Sequence, residues 1–374
     1  MTLAVMLIML NAARADVRSF AVPEGNYNVT VTVGDASAAC DATVKAESRR
    51  LMLRNVVIKP GETVSRTFTV NVRTPQIPGG GNVKLKDREK DSLDWDDNLS
   101  LEFLGQHPGV QHVEIAPAPD AITLYIAGDS TVTDQASEPW AGWGQILPCF
   151  FKPGVAVANH AQSGESLKSF AGAKRREKVL SQIKKGDYLF IQFGHNDMKE
   201  KGEGVGAFTT FSKSLRDFVT AAREKQAVVV LLTPMNRRTF DDEGKITNTH
   251  GDYPEATRRV ASEMNLPLID LNVMSKMLYE AWGPEASTGA FVHYPAGTFP
   301  GQSEALKDNS HFNAYGAYEL ARCVVEGIRV NQLDLARFIN DDVSKFDPAH
   351  PDPVEAIRIP ASPTSAPTTK PAGS

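Results

Sequence analysis

The sequence predicts two folded regions: a small all-β domain of the jelly-roll type over residues 16–118, and a three-layer α/β/α sandwich over residues 121–340. Before residue 118, short runs of alternating apolar and polar residues are separated by Pro and Gly turns, as in a β-sandwich. From Ala121 onward, continuous apolar runs alternate with amphipathic segments, as in a parallel sheet covered by helices on both faces. The chain has 374 residues, which is long enough for both regions.

The first element is residues 1–15, a short apolar run that ends in Ala13-Arg14-Ala15. This run is too short to span a bilayer and fits a signal peptide with an A-x-A-like cleavage site. We therefore expect a secreted or periplasmic protein. A buried first strand is the alternative interpretation.

The predicted β domain follows. Residues 27–34 (YNVTVTVG) alternate between apolar and polar side chains, the pattern of a half-buried strand. Further strand-like runs lie at 49–58, 66–74, 98–105 and 110–117. Five such runs with turn signals between them predict a sandwich of two sheets, and residues 116–120 (APAPD) predict a linker after it.

The second region contains five continuous apolar runs, AITLYIAG, GVAVANHAQ, DYLFIQFG, AVVVLLTP and LPLIDLN. They predict a five-stranded parallel sheet in the flavodoxin-like strand order 2-1-3-4-5. Helices are predicted at about 174–184, 210–224, 253–264 and 314–327. Residues 341–374 are rich in Pro, Ser and Thr, and we expect them to be disordered.

Composition excludes several classes of function. The net charge is −5 and the pI is about 5.9, so the chain lacks the excess of positive charge that is typical of nucleic-acid-binding proteins. Nucleic acid is therefore not an expected partner. Outside residues 1–15, no run is apolar enough to cross a membrane, and we expect a monomer that is not membrane-bound. Cys40, Cys149 and Cys323 have no metal-ligand spacing, and the sequence cannot assign a disulfide among them.

Three loops of the predicted sheet carry candidate catalytic groups. Ser130 directly follows the first parallel strand, Gly164 lies in the loop after the second, and Asn196 lies in the loop after the third. Ligands of an open parallel sheet bind outside the carboxyl ends of its strands. In the predicted order these strands are neighbours, so the three loops should meet at one edge.

These residue types suit acyl transfer. The Ser130 hydroxyl needs an adjacent base to act as a nucleophile, and His311, three residues after Asp308 in a predicted loop before the last helix, could supply it. A backbone N–H at Gly164 and the amide of Asn196 could stabilise the oxyanion that forms. Each motif alone has another interpretation: a solvated turn, an Asn in left-handed geometry, or a helix cap with a surface His. Their joint occurrence at strand ends favours the catalytic interpretation.

The motifs GDSTV, the Gly164 loop, GHND and D-x-x-H resemble the four sequence blocks of the SGNH (GDSL-type) hydrolases, and QFGHND is closest to the rhamnogalacturonan acetylesterase group. The resemblance implies that Ser130 is the nucleophile, His311 the general base and then acid, and Asp308 its orienting partner. It also implies an oxyanion hole made by the N–H groups of Ser130 and Gly164 and by the Asn196 amide, with no metal or other cofactor. Residues 16–118 resemble a galactose-binding-like module.

The implied function is the removal of O-acetyl groups from a plant cell-wall polysaccharide, with pectic rhamnogalacturonan as the first candidate. Acetylated xylan or another ester is an alternative substrate, and a non-catalytic polysaccharide-binding protein is the alternative from another class.

Several further residues are candidates for substrate contact. Arg237 and Arg238 follow the fourth parallel strand and could bind a uronate carboxylate or form a solvated pair. His293, Tyr294 and Phe299 lie in the aromatic loop 288–302, which could stack on sugar rings or fold back on itself.

Four more residues have competing interpretations. We predict that His195 makes a local structural hydrogen bond, that His250 is a surface residue, and that Asp252 caps a helix instead of joining His250 as a metal ligand. Trp95 is predicted as a core residue, with a sugar platform as the alternative.

Overall fold

The computed structural model describes residues 16–299 and 302–362. The predicted signal peptide and the last part of the predicted disordered tail lie outside these residues. The strands are β1 (Asp16–Ala21), β2 (Gly25–Gly34), β3 (Cys40–Ala46), β4 (Arg50–Ile58), β5 (Thr63–Val72), β6 (Asn98–Leu104), β7 (Val110–Pro117), β8 (Ile122–Gly128), β9 (Val155–Asn159), β10 (Tyr188–Gln192), β11 (Val228–Leu232), β12 (Leu268–Ile269), β13 (Phe291–Tyr294) and β14 (Leu306–Phe312). The α-helices are α1 (Trp143–Ile146), α2 (Leu167–Gly172), α3 (Arg175–Gln182), α4 (Ser212–Glu224), α5 (Tyr253–Glu263), α6 (Leu271–Ala286) and α7 (Ala314–Val330).

The five predicted parallel strands are present and adjacent. They occupy one part of a sheet in the order β12-β11-β10-β8-β9, and every neighbouring pair among them is parallel. This is the predicted order 2-1-3-4-5. In the register of β8 and β10, Gly128 lies beside Gln192, so the two strands end at the same level and their following loops start together.

Helices cover both faces of this parallel part. Along β8, Leu124 and Ile126 belong to a core cluster with residues of α7, whereas Tyr125 and Ala127 belong to a cluster with residues of α4 and α5. The helices predicted at α3, α4, α5 and α7 are all present. Helix α6 was not predicted, because β12 has only two residues and α6 begins inside the apolar run that was assigned to that strand.

The all-β region is built from two antiparallel sheets. One has the order β1-β6-β3-β4, and the other consists of β5, β2 and β7. A cluster of buried side chains drawn from both sheets fills the space between them, among them Val31, Val44, Phe68, Leu101 and Phe103. The jelly-roll assignment of this sandwich stays a prediction. Strand β1 was missed because every one of its residues is exposed or half-buried, and β3 was missed because its four alternating apolar residues are mostly small, two of them alanine.

The sheet is continuous between the two regions, which the sequence did not predict. Strand β5 pairs with β9 in parallel at Val70 and Val157, so β5, β2 and β7 extend the parallel part into one eight-stranded sheet. The linker predicted at 116–120 separates β7 from β8 along the chain only. Alternation predicts that a segment is a strand, but it does not identify the strand's neighbour.

Residues 341–362 pack against the rest of the protein, although the sequence predicted that they are disordered. Phe346 and Ile357 join the core cluster that contains α7, and the Arg322 guanidinium lies 4.4 Å from the centre of the Phe346 ring. The buried Ser362 donates from its hydroxyl to Glu102 at 2.6 Å. A Pro-rich segment can be ordered when a few apolar side chains are buried and neighbouring side chains bond its backbone. Here the guanidinium of Arg329 donates to the carbonyls of Val343 and Ser344, at 2.5 and 3.0 Å.

No helix within the described residues has the length and apolar character needed to cross a bilayer. All three cysteines are free thiols; Cys40 and Cys323 are buried.

Candidate active site

Ser130 lies directly beyond the carboxyl end of β8, in a tight turn. The Asp129 side chain accepts hydrogen bonds from the backbone N–H and the hydroxyl of Thr131, at 3.0 and 2.7 Å, and thereby fixes this turn. At Gly128, a Cβ atom would lie 2.7 Å from Cγ2 of Val132 and 3.0 Å from the Gln192 carbonyl oxygen. Glycine is therefore required for the close exit from the strand.

Ser130, His311 and Asp308 form a continuous chain of hydrogen bonds. The Ser130 hydroxyl lies 2.8 Å from Nε2 of His311, and Nδ1 of His311 lies 2.8 Å from Oδ2 of Asp308. The other oxygen of Asp308 accepts the backbone N–H groups of Ser310 and His311, at 2.9 and 3.1 Å. All three of these side chains are buried. With its proton on Nδ1, His311 donates to Asp308 and presents an acceptor nitrogen to Ser130.

Asp308 and His311 lie on a strand, where the sequence predicted a loop. Asp308 and His311 belong to β14, which pairs with β13 as an antiparallel hairpin; an isolated bridge between Phe312 and Ala141 also holds the strand. The alternation expected of a strand is weak over LKDNSHF, so the sequence did not predict it. A paired strand holds the histidine ring more rigidly than a loop would.

The predicted Gly164 and Asn196 lie in loops that are bonded to each other. The Asn196 side-chain amide donates to the carbonyl of Glu165 at 3.0 Å, which holds it beside Gly164. Gly164 has φ of +82°, a backbone conformation that favours glycine. The Ser130 loop and the Gly164 loop are also joined, because the N–H of Gln162 donates to the carbonyl of Gly128 at 3.1 Å.

Two residues that the sequence analysis missed brace these loops. Asp197 accepts from the N–H of Leu167 at 2.8 Å and from the N–H of Gly194 at 2.9 Å, and burial raises the pKa of this carboxyl to about 7. Gln135 donates from its amide to the carbonyl of Ser130 at 2.7 Å. Asp197 could have been found as the residue after Asn196 in the quoted motif, whereas no sequence signal marks Gln135.

Asp129 is a buried carboxyl beside the triad. Its Oδ2 atom has no hydrogen-bond partner among the described residues, and burial raises its pKa. Its bonds to Thr131 make it an organiser of the turn, whereas the carboxylate that bonds to His311 is that of Asp308.

His195 bonds to a distant histidine. Nδ1 of His195 lies 3.2 Å from Nε2 of His250, and the two rings meet edge to face. Burial lowers the pKa of both rings, that of His250 to about 3. The structural role predicted for His195 is present, although its partner is not local. The prediction of a surface His250 is wrong, since this ring is fully buried. Asp252 precedes α5 but makes no side-chain capping hydrogen bond.

Arg237 and Arg238 differ in what they contact. Arg237 is half-buried and donates to the carbonyls of His195 and Thr249, at 3.3 and 3.2 Å. Burial lowers the pKa of Arg237, and the charge of Asp129 opposes that shift.

Arg238 bonds to Ser287 at 2.8 Å, to the side chain of Asn309 at 3.0 Å, and to the carbonyl of Pro284. Its guanidinium thus ties the end of α6 to the triad strand β14. Neither predicted alternative, a solvated pair or a uronate contact, describes these bonds.

The aromatic loop residues lie on the hairpin that carries the triad. His293 and Tyr294 are in β13, opposite Lys307 and Leu306 of β14. The ring of Tyr294 packs edge to face on Phe299 at 5.0 Å, so the loop folds back on itself here. Both rings stay half-buried. Trp95 is only 8% exposed and packs against Arg73, as predicted for a core residue.

Within residues 16–299 and 302–362, no group of three or more His, Cys, Asp and Glu side chains could hold a metal ion.

Known proteins resemble this chain over the same residues that build the site. The GDSL-like Lipase/Acylhydrolase family matches residues 126–317. Rhamnogalacturonan acetylesterase RhgT of Bacillus subtilis (strain 168) is 44% identical over 216 residues, which are 57% of this chain and 92% of that protein. The rhamnogalacturonan acetylesterase of Emericella nidulans is 35% identical over 256 residues, which are 63% of this chain and 94% of that protein.

The likeness to a solved structure includes more of the chain. The crystal structure of YxiM from Bacillus subtilis is 28% identical with a TM-score of 0.52, covering 85% of this chain and 81% of that chain. YxiM itself is described as an uncharacterized esterase. The family match and the homology to acetylesterases lead to one conclusion: the chain belongs to the GDSL-like lipase/acylhydrolase family and is a carboxylic ester hydrolase.

Proposed function

We propose that the protein removes acetyl groups from pectic rhamnogalacturonan through a Ser-His-Asp mechanism. The observation that carries this proposal is the hydrogen-bonded chain from Ser130 through His311 to Asp308, with both distances at 2.8 Å. Ser130 serves as the nucleophile because Nε2 of His311 is in position to accept its proton. Asp308 holds the ring in the tautomer that leaves Nε2 free of a proton.

In the first step, Oγ of Ser130 attacks the acetyl carbonyl carbon while its proton moves to Nε2 of His311. The carbonyl oxygen becomes an oxyanion, for which the N–H groups of Ser130 and Gly164 and the amide of Asn196 are the proposed donors. The bond between Asn196 and the Glu165 carbonyl supports this assignment, because it holds the amide beside the Gly164 loop. The ester C–O bond then breaks, and His311 returns the proton to the departing sugar oxygen.

In the second step, His311 takes a proton from water, whose oxygen attacks the acetyl-enzyme carbonyl. The tetrahedral intermediate collapses to acetate, and the proton returns from His311 to Oγ of Ser130. Each cycle thus consumes one ester and one water and yields one acetate and one sugar hydroxyl.

The choice of rhamnogalacturonan rests on relatives. RhgT and the Emericella nidulans enzyme are both named rhamnogalacturonan acetylesterases. Arg237 remains a candidate contact for a uronate carboxylate, because it is half-buried and donates to the carbonyl of His195, the residue before Asn196. His293, Tyr294 and Phe299 remain candidate contacts for a sugar because their hairpin adjoins the triad.

Two further proposals concern the N-terminal residues. The apolar run and Ala13-Arg14-Ala15 motif of residues 1–15 support export to the periplasm or medium. The two antiparallel sheets of residues 16–118 support a galactose-binding-like assignment for the N-terminal sandwich.

The test is acetate release from acetylated rhamnogalacturonan, homogalacturonan, xylan and an aryl acetate, with the wild type and Ser130→Ala. We expect the highest kcat/KM on rhamnogalacturonan and a loss of about 10³-fold or more in Ser130→Ala on every substrate. Faster acetate release from xylan than from rhamnogalacturonan would overturn the proposed choice of substrate. Unchanged release by Ser130→Ala would overturn the mechanism.

A further inference from the structure

A cavity of about 290 Å³ lies between the N-terminal region and the catalytic loops. One wall comes from the segment that follows β5 and includes Arg73, Arg88 and Trp95. The other wall comes from residues 133–137, which follow the Ser130 turn, and from residues 161–163, which precede Gly164. The volume is near the lower end of the range for small-molecule sites, about 300 to 1,000 Å³.

The cavity shares residues with the catalytic edge. Gln135 lines it and also donates to the carbonyl of Ser130 at 2.7 Å, and the same amide lies 3.3 Å from the hydroxyl of Ser163. Ser163 is the residue before Gly164. The cavity therefore borders the loops that carry Ser130 and Gly164.

The cavity wall carries buried N–H donors that lack acceptors. Nε and Nη1 of Arg73 and Nε1 of Trp140 have no hydrogen-bond partner among the described residues, although Arg73 is 3% and Trp140 2% exposed. Leaving a buried donor unpaired is unfavourable, and all three of these atoms are donors. None of the three atoms has accessible surface in the cavity, so they act on a ligand through the positive charge of Arg73 and the N–H dipoles behind the wall, which favour a ligand that brings acceptor oxygens.

The acidic side chains on the wall already have cationic partners. Asp94 and Asp134 both bond to the buried Arg50, at 3.0 and 2.6 Å, and Glu89 bonds to Arg175 at 2.5 Å. Arg73 also lies 3.6 Å from Asp94, whereas Arg88 makes no ion pair with any of the described residues.

Arg88 provides the accessible part of this charge. Its side chain is exposed, and one of its terminal nitrogens donates to the carbonyl of Ser163 at 2.5 Å, which keeps the guanidinium beside the Gly164 loop. A planar guanidinium matches the geometry of a carboxylate.

We propose that this cavity is a glycan subsite that binds the carboxylate of a uronic acid residue of the polymer, in addition to the acetylated residue at Ser130. The N-terminal region thereby contributes directly to substrate selection, with Arg88 as the contact for the carboxylate. This inference rests on the proposed function insofar as the polymer contains uronic acid.

The kinetic test compares Arg88→Ala with the wild type on two acetylated rhamnogalacturonan oligosaccharides, one native and one with its uronate carboxyl groups reduced to alcohols. We expect Arg88→Ala to lose about tenfold more kcat/KM on the acidic oligosaccharide than on the reduced one, as for a lost charge-assisted hydrogen bond. Arg259→Ala is the matched control, because Arg259 is an exposed arginine on α5 outside the cavity. Equal losses on both oligosaccharides would overturn the subsite.

A binding measurement separates this inference from the proposed function. Deacetylated rhamnogalacturonan oligosaccharide is titrated calorimetrically into Ser130→Ala and into Ser130→Ala with Arg88→Ala. We expect at least fivefold weaker binding in the second protein and no such difference with the carboxyl-reduced oligosaccharide. This result would support the subsite even if the wild type released no acetate from the polymer, whereas equal affinity of the two proteins would overturn it.

Discussion

Asn196 is the residue whose proposed role depends most on its surroundings. Its amide donates one hydrogen bond to the Glu165 carbonyl, which leaves a second N–H for an oxyanion. We expect Asn196→Ala to lower kcat on an aryl acetate by about 10²- to 10³-fold, because one oxyanion donor is lost. KM should change little, since the donor acts chiefly in the transition state. A raised KM with an unchanged kcat would contradict this role and indicate a contact with bound substrate.

His250 predicts how the protein responds to acid. Burial, and secondarily the charge of Arg237, lower the pKa of its ring to about 3, from the ordinary value of 6.5. Between these pH values the unfolded chain binds a proton that the folded protein excludes. The free energy of unfolding therefore falls as the pH drops from 6.5 towards 3, by up to about 1.4 kcal/mol per pH unit for this proton.

We expect His250→Gln to make that fall shallower by about this amount per pH unit between pH 6 and pH 4, because glutamine cannot be protonated. Urea unfolding of both proteins at several pH values measures the slope. Above pH 7 the two curves should run parallel, because there the ring is neutral in both states. Equal slopes below pH 6 would show that His250 is protonated in the folded protein.

At the scale of residues, the sequence predicted the groups whose chemistry is distinctive. The hydrogen-bonded set of Ser130, His311 and Asp308 was predictable because a hydroxyl residue follows a strand end and an acidic residue precedes a histidine by three positions. Gln135 and Asp197 were not predicted. Gln135 contributes a hydrogen bond to the Ser130 carbonyl, and Asp197 accepts one from the N–H of Leu167, which is 30 residues away in the sequence. Sequence spacing does not report such contacts.

The hairpin of β13 and β14 carries Asp308 and His311, and Arg238 fastens it to the rest of the protein. Its guanidinium joins Ser287 and the Pro284 carbonyl at the end of α6 to Asn309 in the middle of β14. A small shift of β14 would change the distance between His311 and Ser130, and misplaced catalytic groups lose rate steeply.

We therefore expect Arg238→Ala to lower kcat by about tenfold, by the same factor on an acidic oligosaccharide and on a neutral aryl acetate. KM should stay near the wild-type value on both, and Arg238→Lys should restore part of the rate. Steady-state kinetics on the two substrates measures this. A larger loss on the acidic oligosaccharide than on the aryl acetate would instead show that Arg238 contacts the uronate, as the sequence suggested. For Arg237→Ala we expect that larger loss on the acidic oligosaccharide.

Elements were predictable where their residues repeat with a clear period. The sequence predicted the parallel strands and helices α3, α4, α5 and α7, because long apolar runs and amphipathic stretches are compatible with few other secondary structures. Strands β3 and β14 escaped prediction because each is stabilised by the partners it pairs with, β4 and β6 for one and β13 for the other. Pairing between distant segments is not visible in local periodicity.

For the whole molecule, the main difference from expectation is that two predicted domains share one sheet and part of one core. Leu51 of β4 belongs to the hydrophobic cluster that contains α7, and Arg50 beside it bonds across to Asp134 after the Ser130 turn. Segment 341–362 returns to the sandwich, where Lys45 of β3 donates to the carbonyl of Pro360 at 2.8 Å. Contacts of this kind couple the two regions during unfolding.

We expect one cooperative thermal transition for the protein, with equal calorimetric and van't Hoff enthalpies. We also expect Arg50→Met to lower its stability as a unit by about 3 to 5 kcal/mol, because Asp94 and Asp134 would lose the buried guanidinium that they share. Burial raises the pKa of Asp134 to about 6, so the comparison belongs at pH 8, where this carboxyl is ionised and the loss is largest. Scanning calorimetry of both proteins measures the transitions. The wild type could instead show two transitions, with Arg50→Met lowering the midpoint temperature of only one. That result would mean that the sandwich and the hydrolase region unfold independently despite their common sheet.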